Sequence, residues 1–296
     1  MPLNLVYLLV TVSAFFWGVN FILAGLVLAD LPPLWAAAFR FLLGAALMLA
    51  IAWRMGDDLI GFARRHAGIY LLLGVVGIAG FNLLFFHAMQ STSADNGALI
   101  MATNPLLTTL LATVLLGERA SARHWAALPV ALAGVAVVIT HGHPAQLAKL
   151  QVANGDLLML AANLTWALFN VFSRRLMPKG SPIGHTALMM TAGAAILLAV
   201  ALAGGEPFAL PGLQAAWALA IMAVGGTVLA YLFWGMGIQR LGAGRTALFL
   251  NLVPVFAMLV SGAVGAPPTA AQVTGGLIVL ASVVLSMLPM RQQTAA

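Results

Sequence analysis

The sequence predicts an all-α membrane protein: ten transmembrane helices arranged as two inverted five-helix repeats, with the N- and C-termini cytoplasmic. Three observations predict it. Charged residues make up 7% of 296 and hydrophobic residues 62%, whereas an ordinary soluble protein carries roughly 25% charge. So few charges cannot cover a water-facing surface, and most of that surface must face lipid. The Lys and Arg residues gather in alternate loops, and the second half of the chain repeats the first at a constant offset.

A helix needs ~20 apolar residues to cross ~30 Å of hydrocarbon. That rule marks spans at about 5–28, 33–53, 67–88, 95–116, 123–140, 155–173, 182–203, 213–238, 244–265 and 270–289. Turn residues and charges separate them: Asp30-Leu31-Pro32-Pro33, Arg54-Met55-Gly56-Asp57-Asp58, Gly117-Glu118-Arg119, His141-Gly142-His143-Pro144, Gly204-Gly205-Glu206-Pro207 and Ala266-Pro267-Pro268. The first span is too long for a signal-peptide core, and Met1 to Asn4 supplies no Lys or Arg ahead of it, so it is expected to stay as a helix. The loops leave no room for a soluble domain.

Orientation follows from the basic residues. With ten spans, the termini and the even-numbered loops share one side. That side holds Arg54, Arg64, Arg65, Arg119, Arg123, Arg174, Arg175, Lys179, Arg240, Arg245 and Arg291, against Lys149 on the other. The basic side is the cytoplasmic one. The net charge of +6 therefore belongs to a membrane surface, and no nucleic-acid partner is expected.

The repeat runs at an offset of 149 residues. Trp17 pairs with Trp166, Pro33 with Pro182, Gly44-Ala45-Ala46 with Gly193-Ala194-Ala195, Gly77 with Gly226, Gln90 with Gln239, and Pro105 with Pro254. Apolar composition alone would match Leu and Ala by chance; it would not keep Trp, Gln and two Pro residues in register. The halves are residues 1–142 (helices 1–5) and 150–291 (helices 6–10). Five is odd, so the second half enters the membrane upside down. Inverted repeats are characteristic of secondary transporters.

Other classes find little support. The absence of Cys removes thiolate metal sites and thiol nucleophiles. An enzyme would need clustered acids, bases or nucleophiles, and the close pair His141 and His143 lies on a loop with no nearby acid cluster. No enzyme activity, cofactor or metal is expected. The expected partners are a small-molecule substrate and the lipid bilayer; the oligomeric state is left open.

Particular stretches resemble a known family. Phe16-Trp17-Gly18-Val19-Asn20-Phe21, Pro33 followed by Arg40-Phe41-Leu42-Leu43, and the run from Ala88 through Asn104-Pro105 to Leu116-Gly117-Glu118-Arg119 are similar to the EamA-type repeat of the drug/metabolite transporter superfamily. The resemblance covers nearly the whole chain, once per half. The second half departs at Pro267, where the repeat would place Glu118. Within the superfamily the chain most resembles bacterial exporters of the YddG type, which favour aromatic amino acids. The resemblance implies an inner-membrane carrier working by alternating access.

Candidate site residues follow from depth and polarity. Trp17 lies about 12 residues into its span, roughly 18 Å deep, with Trp166 at a similar depth from the other side. An indole N–H there needs a partner or a wet cavity: the pair either walls a substrate cavity or packs helices beside Gly18 and Ala167. Asn20, Asn82, Thr103, Asn104, Asn163, Thr165, Asn170, Tyr231 and Asn251 also fall inside spans. Interhelical hydrogen bonding accounts for some of them, and others are expected to line a polar path. The expected substrate-binding set is Trp17, Asn20, Asn82, His87, Met101, Asn104, Asn163, Trp166, Tyr231 and Asn251. His87 could contact a carboxylate, relay a proton, or sit at the headgroup boundary. Arg40 could snorkel or bind a carboxylate, with packing or insertion the favoured role. Pro105 and Pro254 free the carbonyls of Met101 and Leu250 and kink their helices, as gate hinges or as fixed curvature. Glu118 is expected to pair with Arg119, Arg123 or a neighbouring loop and to help set the cytoplasmic gate. No Asp or Glu lies deep in a span, so transport is expected without strict ion coupling; otherwise His87 or Asp95 must carry it.

Overall fold

A computed structural model describes residues 1–92, 94–149 and 153–287, apart from the side chains of residues 94, 95, 144, 148 and 149. Arg291 therefore lies outside the described residues, as do the side chains of Asp95 and Lys149. Ten helices are long and apolar enough to span a membrane: α1 (Leu3–Leu28), α2 (Pro33–Arg54), α3 (Leu59–Met89), α4 (Asn96–Leu116), α5 (Ala122–Ile139), α6 (Asn154–Leu176), α7 (Pro182–Ala203), α8 (Leu213–Leu241), α9 (Ala243–Ala263) and α10 (Ala270–Met287). No strand occurs among the described residues.

Local sequence sets the helix ends. Pro33 and Pro182 occupy first-turn positions, where a missing N–H costs nothing. Asp58, Ser121 and Ser181 cap their helices by accepting from the backbone N–H of Gly61, His124 and Gly184 at 2.9, 3.2 and 3.1 Å. The third helix starts earlier than the apolar run suggests. Leu59 to Arg65 form a short extra helical segment capped by Asp58, and His66 (φ −133°, ψ 20°) bends it away from the span proper. The eighth likewise continues three residues further, to Leu241.

Four spans are irregular, at matching places in the two halves. The α3 helix widens to a π-helix over Val75–Gly80, and α8 does so over Met222–Leu229. The α4 helix breaks at Thr103, ahead of Pro105, and α9 tightens to a 3₁₀ turn over Leu248–Asn251, ahead of Pro254. A proline deletes one backbone donor and crowds the preceding turn, which accounts for both interruptions.

Packing pairs α5 with α10 and α2 with α7, while α1 lies on α8 and α9, and α6 on α3 and α4. Small residues bring the backbones together. A Cβ on Gly134 of α5 would lie 2.9 Å from the Gly275 carbonyl of α10, and one on Gly275 only 2.7 Å from the Gly134 carbonyl. Contacts recur at the offset of the repeat. A Cβ on Gly44 would strike Thr227 at 2.8 Å, and its counterpart Gly193 would strike Ile78 at 2.6 Å. Gly77 against Phe169 and Gly226 against Asn20 form a second such pair. Glycine at these places is demanded by the neighbour's volume.

Candidate functional site

A cavity of about 610 Å³ runs from the centre of the bundle to the end carrying His141 and Gln272. That is the end predicted to face away from the cytoplasm. Its wall is mostly apolar and aromatic, with Trp17 and Phe21 from α1, Phe81, Phe85 and Phe86 from α3, Trp166 from α6 and Tyr231 from α8.

The two predicted tryptophans meet at its deep end. Trp17 and Trp166 are perpendicular, with ring centroids 5.4 Å apart, and Tyr231 stands edge-on to both at 6.0 and 5.7 Å. Trp234 lies beneath, 4.8 Å from Trp17 and fully buried, its indole N–H donating to Asn170 at 2.8 Å. The two indoles of the wall differ in bonding. Trp17 Nε1 donates to the Gly226 carbonyl at 3.0 Å. The equivalent carbonyl for Trp166 is that of Gly77, which accepts the Tyr231 hydroxyl at 3.3 Å instead, and Trp166 Nε1 has no partner.

The expected polar set divides. Asn20, Asn82, Met101, Tyr231 and Asn251 line the cavity with the two tryptophans, as does Pro254. Asn251 is buried, and its side-chain carbonyl has no partner. Asn104 and Asn163 do not reach the cavity. Asn104 donates to Asn163 Oδ1 at 2.6 Å and to its backbone carbonyl at 2.9 Å, and Asn163 donates to Ile100 and Thr103 at 2.8 and 2.9 Å. They clamp α6 across the break in α4, where a carbonyl would otherwise go short of donors. Pro105 is buried beside this clamp. His87 is exposed and bonds the Leu83 carbonyl of its own helix at 2.8 Å, so it does not line the cavity.

Arg40, for which packing or insertion was the favoured expectation and carboxylate binding the other, lines the cavity. Its Nη2 donates to Asn82 Oδ1 at 3.1 Å, its guanidinium carbon stands 4.6 Å from the Phe41 ring centroid, and its Nε has no partner. Asn82 is itself fixed by donating to the Ile78 carbonyl at 2.7 Å. Among the described residues no carboxylate reaches Arg40, and no Asp or Glu lines the cavity. An intramembrane cation is a functional signal in any sequence; what the sequence lacked was the knowledge that Asn82 would turn it inward. Phe81 and Phe85 were also missed. They share the cavity face of α3 with Asn82 but look like lipid-facing residues in one dimension.

At the opposite end the helices are tied together. Gly117 (φ +68°) ends α4 in the left-handed region and throws Glu118 across to the start of α9. Glu118 pairs with Arg174 of α6 at 3.3 Å and accepts from the backbone N–H groups of Ala243 and Gly244 at 3.1 and 3.4 Å. Of the expected partners, the structure shows the neighbouring segment, where the α9 N-terminus offers unsatisfied donors and a favourable dipole. Arg174 also donates to the Gln239 carbonyl, and Gln239 donates to the Ser173 carbonyl at 2.7 Å, tying α6 to α8. At the open end, Asp30 accepts from Gly212 N–H at 2.9 Å and Glu206 from Leu34 N–H at 3.1 Å, which fastens the α1–α2 and α7–α8 loops together outside the cavity. No group of three His, Asp or Glu side chains able to hold a metal occurs among the described residues.

Comparison with known proteins agrees with this architecture. The sequence profile of the EamA-like transporter family matches twice, over residues 4–140 and 153–288. An uncharacterised transporter of Bacillus subtilis, YyaM, is 39% identical over 280 residues, covering 94% of this chain and 92% of its own. A Salmonella typhimurium protein named a probable amino-acid metabolite efflux pump is 28% identical over 296 residues, covering 95% and 94%. An uncharacterised inner membrane transporter of Escherichia coli, YedA, is 27% identical over 254 residues, covering 84% and 79%. One solved crystal structure superposes with a TM-score of 0.82 at 22% identity, over 95% of this chain and 97% of the other.

Proposed function

The chain belongs to the EamA-like transporter family and is a multi-pass membrane transporter rather than an enzyme; from that premise we propose that it exports amino acids across the bacterial inner membrane, favouring aromatic and other large apolar ones. The observation that carries the reading is the aromatic wall of a cavity open at one end and closed at the other. Trp17, Trp166 and Tyr231 present three ring faces and edges around one space, and flat apolar side chains gain most from such a box. The relative named a probable amino-acid metabolite efflux pump supports the substrate class.

Alternating access is the mechanism. The cavity serves as the outward-facing state, and the Glu118–Arg174 contact with the α9 amides serves as the closed inner gate. The halves act as inverted repeats, supported by the contacts that recur at the 149-residue offset. Exchange of conformations between halves then gives an inward-facing state of similar energy. Breaks ahead of Pro105 and Pro254 act as hinges. The lack of an acid in the cavity wall among the described residues supports facilitated diffusion or exchange without strict proton coupling.

The test is uptake of labelled tryptophan, phenylalanine, threonine and methionine into proteoliposomes, with and without an imposed pH gradient. Saturable uptake, strongest for the aromatic pair and indifferent to the gradient, is expected. Folded protein that takes up no amino acid would overturn the substrate assignment and leave the transporter fold intact.

A further inference from the structure

Arg40 is a cation in the cavity wall with neutral neighbours. Arginine carries five N–H donors in a planar fork. One goes to Asn82, whose own amide nitrogen is tied to Ile78, so this partner cannot swing away. Phe41 supports one face of the guanidinium. These contacts orient the group without neutralising it. A buried charge without a counter-ion is costly, and a residue kept only for packing would be replaced by an apolar one of similar size. The repeat supplies that comparison. At the 149-residue offset the counterpart of Arg40 is Met189, 2% exposed in the α2–α7 core. The scaffold accepts a hydrophobe at this position in one half and holds a cation in the other, where the cavity passes.

We infer that Arg40 is the carboxylate-binding residue of the cavity, and that the class it accepts is apolar monocarboxylates, with or without an amino group. The guanidinium fork matches a carboxylate with two parallel hydrogen bonds, and the aromatic wall takes the rest of the molecule. Among the described side chains no acid lines the cavity to hold an ammonium, so the carboxylate is the group the site grips. The inference rests on the proposed transport reading in that the cavity is the substrate path.

Binding to the purified full chain in detergent tests it by calorimetry at pH 7 with three probes: phenylalanine, 3-phenylpropionate and phenethylamine. The first two bind, and phenethylamine binds at least about tenfold more weakly. Arg40→Gln weakens both carboxylates by about tenfold or more without weakening phenethylamine, and Arg40→Lys retains part of the carboxylate affinity. Phenethylamine binding as tightly as phenylpropionate, undiminished carboxylate binding by Arg40→Gln, or no binding of either carboxylate would each overturn the inference. If Arg40→Gln does not fold, the wild-type probe series decides alone. Phenylpropionate binding without phenylalanine keeps the inference and removes the amino acid reading. Phenylalanine binding that survives Arg40→Gln does the reverse.

Discussion

Removing the Glu118 carboxylate should unlock the tied end of the transporter by an amount that its contacts define. The side chains of Arg174 and Glu118 are 35% and 25% exposed, so their ion pair is partly screened and worth about 0.2–1 kcal/mol. The carboxylate also sits on the first amides of α9, a helix N-terminal interaction worth about 0.3–1 kcal/mol. Together these give ~0.5–2 kcal/mol, which shifts a two-state balance about 2- to 30-fold. Because the chain contains no Cys, a single introduced thiol reports without background. Ala243 is fully buried under Glu118, and Ala243→Cys should react with a soluble maleimide only when this end opens. Adding Glu118→Ala should accelerate labelling of the solubilised protein by more than about twofold and up to about 30-fold. Glu118→Gln should give a smaller rise, since its amide oxygen can still accept from one α9 N–H. A labelling rate within about twofold of the parent would refute the assignment of this contact as the lock.

Other substitutions separate wall from scaffold. Trp17→Ala and Trp166→Ala should each weaken phenylalanine binding by about 2- to 10-fold, the worth of an aromatic pair, while the protein stays inserted and monodisperse by size-exclusion chromatography. Asn163→Ala should lower the thermal unfolding midpoint, because each interhelical hydrogen bond contributes about 0.6 kcal/mol and Asn163 makes several; substrate affinity should barely change. Gly134→Leu should cost about 1–3 kcal/mol or more by forcing α5 off α10, read as loss of folded protein on heating. His87→Ala should leave both binding and the pH dependence of transport unchanged, as its exposed ring bonds its own helix.

The sequence made the scaffold legible and the site only partly so. Helix number came from apolar run length, and Pro33 and Pro182 marked the starts of their helices, because these signals act within a few residues of where they stand; the caps Asp58, Ser121 and Ser181 emerged only with the structure. Glycines in register at 44 and 193, and at 77 and 226, could be matched but not explained until Thr227, Ile78, Phe169 and Asn20 were seen to fill the space beside them. Depth alone put Trp17 and Trp166 at the same level, and the structure adds that their rings touch. It could not distinguish Asn82, which faces the cavity, from Asn104 and Asn163, which clamp a broken helix. Both sets are buried amides at similar depth, and only the rotation of each helix about its axis separates them. Which neighbouring segment Glu118 would meet was out of reach for a different reason: the left-handed turn at Gly117 carries it to a helix that begins 125 residues later.

The unequal bonding of the two wall tryptophans has a spectroscopic consequence. If the halves trade conformations, the indole of Trp166 inherits a carbonyl and the indole of Trp17 gives one up. An indole N–H that gains or loses an acceptor changes its emission and its nitrogen chemical shift. A protein reduced to these two tryptophans would thus carry two indole nitrogen resonances that trade positions as the molecule changes the side it faces.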